Sequence, residues 1–239
     1  MRGRNGTSTE RCALHQPRAT SSWRPTCTPA SVTSFSNSIA HDGLHLAQAG
    51  RAILRRRDHH PALSARLYAM EARALATLRR HGDCARALMT AERALDRTHP
   101  ADPSPWVSPF DHASLAAEAS VCMQQLHQLA AARLHSEQVL SLRTSSHTRS
   151  RAFGQLRLAG ILVCQGEIEH ACAIAHAALG STDRLSSSRV VQLLQTLCDQ
   201  LTPHASIAGV DDVIDVLSTA VTARAHPRLL IAAVGNPEQ

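Results

Sequence analysis

The residues best placed to do chemistry are three charged side chains in one helical phase. Arg73, Glu118 and Arg157 lie nine residues before Gly82, His127 and Gly166, each of which opens a short turn. If the turns join stacked helical hairpins, the three charges run down the concave face, where guanidinium groups grip carboxylates. The alternative is that they are solvated charges pairing with neighbours one helical turn away. His41/His45 and Cys172/His176 are i,i+4 pairs with metal-ligand chemistry, but a site needs a third ligand and no CxxC or HExxH motif supplies one. Cys164 or Cys172 with His170 or His176 provides the residue types of a nucleophile pair, yet no third group orients them. No glycine loop suited to phosphate is present either. The expectation is no enzyme, no metal and no cofactor. Two further candidates concern partners. Trp106 and Phe110 are either a loop sealing one hairpin against the next or an exposed hot spot. Arg55-Arg56-Arg57 is either a basic patch for phosphate or a solvated helix end.

The elements that must position these groups follow from a recurring ladder of small residues. Gly82-Asp83 leads to Ala87, Ala91 and Ala94-Leu95. His127-Gln128 leads to Ala132, Ser136 and Val139-Leu140, and Gly166-Glu167 to Ala171, Ala175 and Ala178-Leu179. Small residues at helical spacing let a second helix lie close against the first, and recurrence at intervals near forty indicates stacked hairpins. Composition agrees. Apolar residues make up 44% of the chain and aromatic residues only 3%, so Ala, Leu, Val and Ile must build the core. With strand-favouring residues scarce, an all-α fold, an α-α superhelix of stacked hairpins, is expected.

All 25 basic residues are arginine, which reduces the information in any single one, and the formal charge of +6 is uneven. Residues 1–40 carry +4, residues 51–97 carry +6, and residues 98–239 carry −3. A basic first third can attract an acidic partner or nucleic acid. The seven cysteines (12, 27, 84, 122, 164, 172 and 198) are odd in number and widely spaced, and fit reduced thiols in a cytoplasmic protein rather than a disulfide framework. Met1-Arg2-Gly3-Arg4 is not followed by an apolar signal-peptide core, and no apolar run suits a membrane span.

Along the chain, residues 1–40 are dense in Ser, Thr, Pro and Arg and are expected to be a disordered arm, or translated sequence upstream of the true domain. Residues 41–225 are the predicted repeat domain. A first helix carries Leu44, Ala47, Ile53 and Leu54. A second begins near Pro61 and carries Leu63, Leu67, Met70, Ala74, Leu75 and Leu78. The next spans about 83–97 and stops at the prolines of 100–105. Asp111 is the predicted N-cap of a helix to Leu126, followed by helices near 129–142, 148–165, 167–179, 186–201 and 211–224. Residues 226–239 read as a frayed tail.

The paired small positions Ala87/Ala94, Ala132/Val139 and Ala171/Ala178 resemble those of tetratricopeptide repeats, with His127 in place of the turn glycine and longer intervals. Segments 106–111, 149–156, 166–172 and 188–204 resemble, in order, the repeat-containing C-terminal region of XRE-type helix-turn-helix transcriptional regulators from GC-rich bacteria. The resemblance covers about residues 60–222 and implies a sensing or docking region that takes a protein or peptide. Residues 1–40 show no helix-turn-helix pattern, so direct DNA binding does not carry over and contact with DNA should be indirect or weak. The expected function is therefore non-enzymatic binding in transcriptional regulation. The alternatives are a DNA-contacting regulator using basic residues 51–97, or a truncated remnant of such a regulator.

Overall fold

Alanine and leucine at helical spacing, with few β-branched or aromatic residues, leave the chain little choice but helix. The computed structural model describes residues 29–54, 60–97, 109–182 and 187–225. Among the described residues there are nine α-helices and no strand. They are α1 (Pro29–Leu54), α2 (Pro61–Thr77), α3 (His81–Leu95), α4 (His112–Gln125), α5 (Leu129–Leu142), α6 (Thr148–Gln165), α7 (Ile168–Thr182), α8 (Ser188–Leu201) and α9 (Val210–Ala225). A single 3₁₀ turn, Thr202–His204, follows α8. No described helix is long and apolar enough to cross a membrane.

Consecutive helices pack as hairpins: α2 on α3, α4 on α5, α6 on α7 and α8 on α9. The ladder is their inner face. Ala91, Ala132, Ala171, Ala175 and Ala178 are fully buried, with Ala87, Ala94, Ser136 and Val139 nearly so. Between hairpins, α2 lies on α4 and α6 on α8, while α6 meets the preceding hairpin chiefly through α5, with Ile161 sharing a core cluster with Cys122 and Met123 of α4. Gly154 makes that α5–α6 contact possible, because a Cβ there would sit 3.1 Å from the side chains of Val139 and Leu140.

All three hairpins carrying the ladder turn in the same way. The residue after the C-cap adopts a left-handed conformation in the first two (Arg79 at φ 58° and His127 at φ 59°) and Gly166 at φ 82° does so in the third. In each, the next amide donates to a carbonyl five residues back: Arg80 to Leu75, Gln128 to Met123 and Glu167 to Leu162, at 2.9 Å. This satisfies the free carbonyls at the helix end. The first turn is therefore made three residues before Gly82, which instead lies exposed in the first turn of α3. The register taken from Gly82 is corrected to Arg79. The ladder survives the shift because three residues are close to one helical turn, so the buried face is unchanged.

Two further expectations are corrected. The arm of residues 1–40 does not extend to residue 40: α1 begins at Pro29, and Ala40, Leu44 and Ala47 are buried. Its Ser- and Thr-rich start has weak helix propensity, proline in the first turn favours the helix, and the later part of α1 packs on α2. Residues 1–28 and the 226–239 tail lie outside the described residues. Ile53 and Met70, assigned to the apolar faces of their helices, are 63% and 51% exposed. Ala74 and Leu75 are buried as expected, but the rest of the α2 face is made by Ala65, Ala69, Ala72 and Ala76, whose small side chains permit the close approach to α3.

Candidate functional site

A groove of about 1020 Å³ runs across α2, α4, α6 and α8. Arg73, Glu118 and Arg157 all line it, so side chains from three helices share one groove. The Arg73 Nη1 donates to Glu118 Oε2 at 2.8 Å, joining α2 to α4. Arg157 touches no carboxylate among the described residues. Its guanidinium is desolvated and repelled by Arg73 and Arg189, with Glu118 only partly offsetting this, so its pKa is pushed down to about 10. It remains a cation at neutral pH, held at an energetic cost.

The sequence reading missed most of the other charged residues in this groove. Arg66 from α2, Arg143 at the end of α5, Arg149 from α6 and Arg189 from α8 also line it. Six arginines thus face one lining carboxylate, Glu118. Their partners divide them. Arg143 makes a two-pronged pair with Asp111, at 2.7 Å to each carboxylate oxygen. Arg149 lies over the Phe153 ring at 6.0 Å. Arg66, Arg157 and Arg189 have no hydrogen-bond or ion-pair partner among the described residues.

Local structure fixes the walls. Asp111 caps α4 as predicted, accepting from the Ser114 amide at 2.9 Å while it also holds Arg143. Burial raises its pKa, but the hydrogen bonds from Arg143 and Ser114 outweigh this and hold its carboxyl below the usual aspartate range. Under the groove, the buried hydroxyls of Ser120 and Ser136 bond at 2.6 Å and tie α4 to α5. Because α6 leans on α5, Ser136, Val139 and Arg143 form part of the floor between α4 and α6.

Phe110 is half-buried, packed on the alanine cluster of α2 and α3, and its remaining surface lines the groove. It thus has the position of a sealing residue with one face open. Trp106 and Arg55, Arg56 and Arg57 lie outside the described residues. Elsewhere in the basic stretch 51–97, arginines turn onto the protein itself. Arg51 pairs with Glu71 at 2.6 Å and stacks on Tyr68, Arg79 donates to the Gln125 carbonyl, and Arg80 and Arg86 share Asp83.

The His41/His45 and Cys172/His176 pairs gain no third ligand among the described residues. Cys164 is exposed beside the Gln200 amide at 3.6 Å, and His170 pairs with Glu167 instead of a thiol. Cys84 and Cys122 are buried core thiols, and the hydrogen bond between them and burial push Cys122 up. Comparison with protein-family models, with curated proteins and with solved structures gives no match to this chain.

Proposed function

We propose that the chain is a non-enzymatic docking domain, a stack of degenerate tetratricopeptide-like hairpins whose cross-helix groove holds a segment of another protein. The observation that carries this reading is the groove itself: four helices from successive hairpins contribute to one continuous concavity. A concavity shared among separate hairpins suits a ligand that is itself extended. Its lining alternates charged groups with apolar surface from Met70, Phe110, Ala113, Ala117 and Leu193, as peptide recognition requires. A role as the sensing part of a transcriptional regulator that lacks its own helix-turn-helix rests on the resemblance of residues 60–222. In that role, an occupied groove would favour one curvature of the stack, which an associated DNA-binding module would read.

The test is selection of a displayed random peptide library on the full chain, followed by binding of the selected peptides to Ala117→Trp. Ala117 lines the groove on α4 and is not fully buried, so an indole there fills the groove without displacing the core. Enriched peptides should lose at least about tenfold in affinity for the variant. Failure to enrich any peptide, or equal binding to Ala117→Trp, would count against a docking groove.

A further inference from the structure

Among the described residues, six arginines and one carboxylate line the groove, and that carboxylate is already engaged by Arg73 at 2.8 Å. Nothing in the hairpin fold requires this excess. Solvated arginines would repel one another less on the outer face, yet Arg157 stands in the groove among Arg73 and Arg189 with no partner of its own among the described residues. An unpaired, desolvated cation costs free energy that an incoming anion recovers. We propose that the groove selects an extended acidic peptide segment, with one Asp or Glu carboxylate seated on Arg157 and Arg189. The proposal rests on the docking reading above and names the chemistry of its ligand.

Two features favour a peptide over a nucleic acid strand. First, the cations are discontinuous. Arg66 and Arg73 stand on α2 and Arg149, Arg157 and Arg189 on α6 and α8, while Ala113, Ala117 and Val121 of α4 lie between, where Arg143 and Glu118 are already paired with Asp111 and Arg73. That order matches side chains of mixed character along a polypeptide, whereas a phosphodiester backbone carries charge at every step. Second, the described lining holds just two aromatic rings, too few for a run of stacked bases. Phe110 is part-packed into a core cluster with one face open, and Phe153 has the Arg149 guanidinium 6.0 Å from its centroid. Glu118 adds discrimination, because it leaves a basic peptide only one carboxylate to approach, and that one is paired.

Fluorescence anisotropy on the full chain tests this with three labelled probes: a dodecapeptide of Glu and Ala, its Lys and Ala counterpart, and a single-stranded oligothymidylate of matched charge. The acidic peptide should bind and the basic one should not. Arg157→Gln should weaken acidic-peptide binding about tenfold or more. Arg93→Gln, which removes an exposed charge from α3 away from the groove, should leave it within about twofold. Arg157 has no partner to lose, so the variant should fold. If its melting transition is lost, Arg189→Gln, at an exposed position, decides the matter by the same weakening. Equal losses in the Arg93 and groove variants, preference for the basic peptide, or tighter binding of oligothymidylate would overturn the proposal. Library peptides that need an open Ala117 groove but carry no acidic bias would refute acidic selectivity and leave docking intact. Absence of any peptide binding would refute both.

Discussion

The N-terminal and C-terminal halves of the stack solve the same packing problem with different side chains. Between α2 and α3 the buried surface is largely alanine: Ala65, Ala69, Ala72 and Ala76 meet Ala87, Ala91 and Ala94, with Cys84 among them. Around α8 it is branched and large, with Val190, Leu194, Leu197 and Leu201 meeting Leu156, Leu162, Val213 and Leu217. Alanine brings helices close but removes little apolar area per residue, while leucine removes more and holds the helices further apart. The alanine half is also crossed by two ion pairs, Arg51 with Glu71, largely buried at 19% and 12% exposure, and Arg73 with Glu118. Such pairs favour one helix register, a property that small, nearly identical apolar contacts lack.

The comparison can be broken from either side. Leu194→Ala should cost the most, about 2–5 kcal/mol, because it empties a fully buried site in the leucine half. Chemical denaturation would measure it, and a loss below 1 kcal/mol, on the order of a surface change, would mean that α8 is not part of the main core. In the alanine half the sensitive change runs the other way. Ala91→Leu should cost about 1–3 kcal/mol by forcing α2 and α3 apart, and a stabilised variant would show that the close approach is not tight. The smallest effect has the opposite sign and compares the turns. His127→Gly should stabilise by roughly 0.5–1 kcal/mol, since His127 pays for a left-handed backbone that Gly166 adopts freely. A destabilised His127→Gly would mean that the imidazole contributes more than its backbone strain costs.

Much of this was legible because it is local. The span of α5 and the cap of α4 at Asp111 follow from periodicity and from one side chain that accepts an amide bond. The ladder marked the buried face of α3, α5 and α7 because burial follows helical phase. The true first turn was hidden because Gly82 looks like a turn residue, while the left-handed position belongs to Arg79, whose type gives no sign of it. The start of α1 was missed because its Ser- and Thr-rich composition has weak helix propensity and no sustained apolar period. For the groove, one charge per helix was identified. Arg66, Arg143 and Arg149 were not, because they lie off the position nine residues before a turn and toward the ends of their helices, and Arg189 was not because the last hairpin lacks the ladder that set the phase.

Sequence by itself determined that this chain is helical, that three of its hairpins close on small residues, and that its positive charge is concentrated before residue 97. Only the tertiary structure decided where cations gather. Arg143, Arg149, Arg157 and Arg189 come from the stretch whose formal charge is −3, yet they supply most of the arginines of the groove. The physical reason is that charge along a chain is summed over every face of every helix. The potential that a ligand meets comes from one face alone, and helix packing chooses which residues share it.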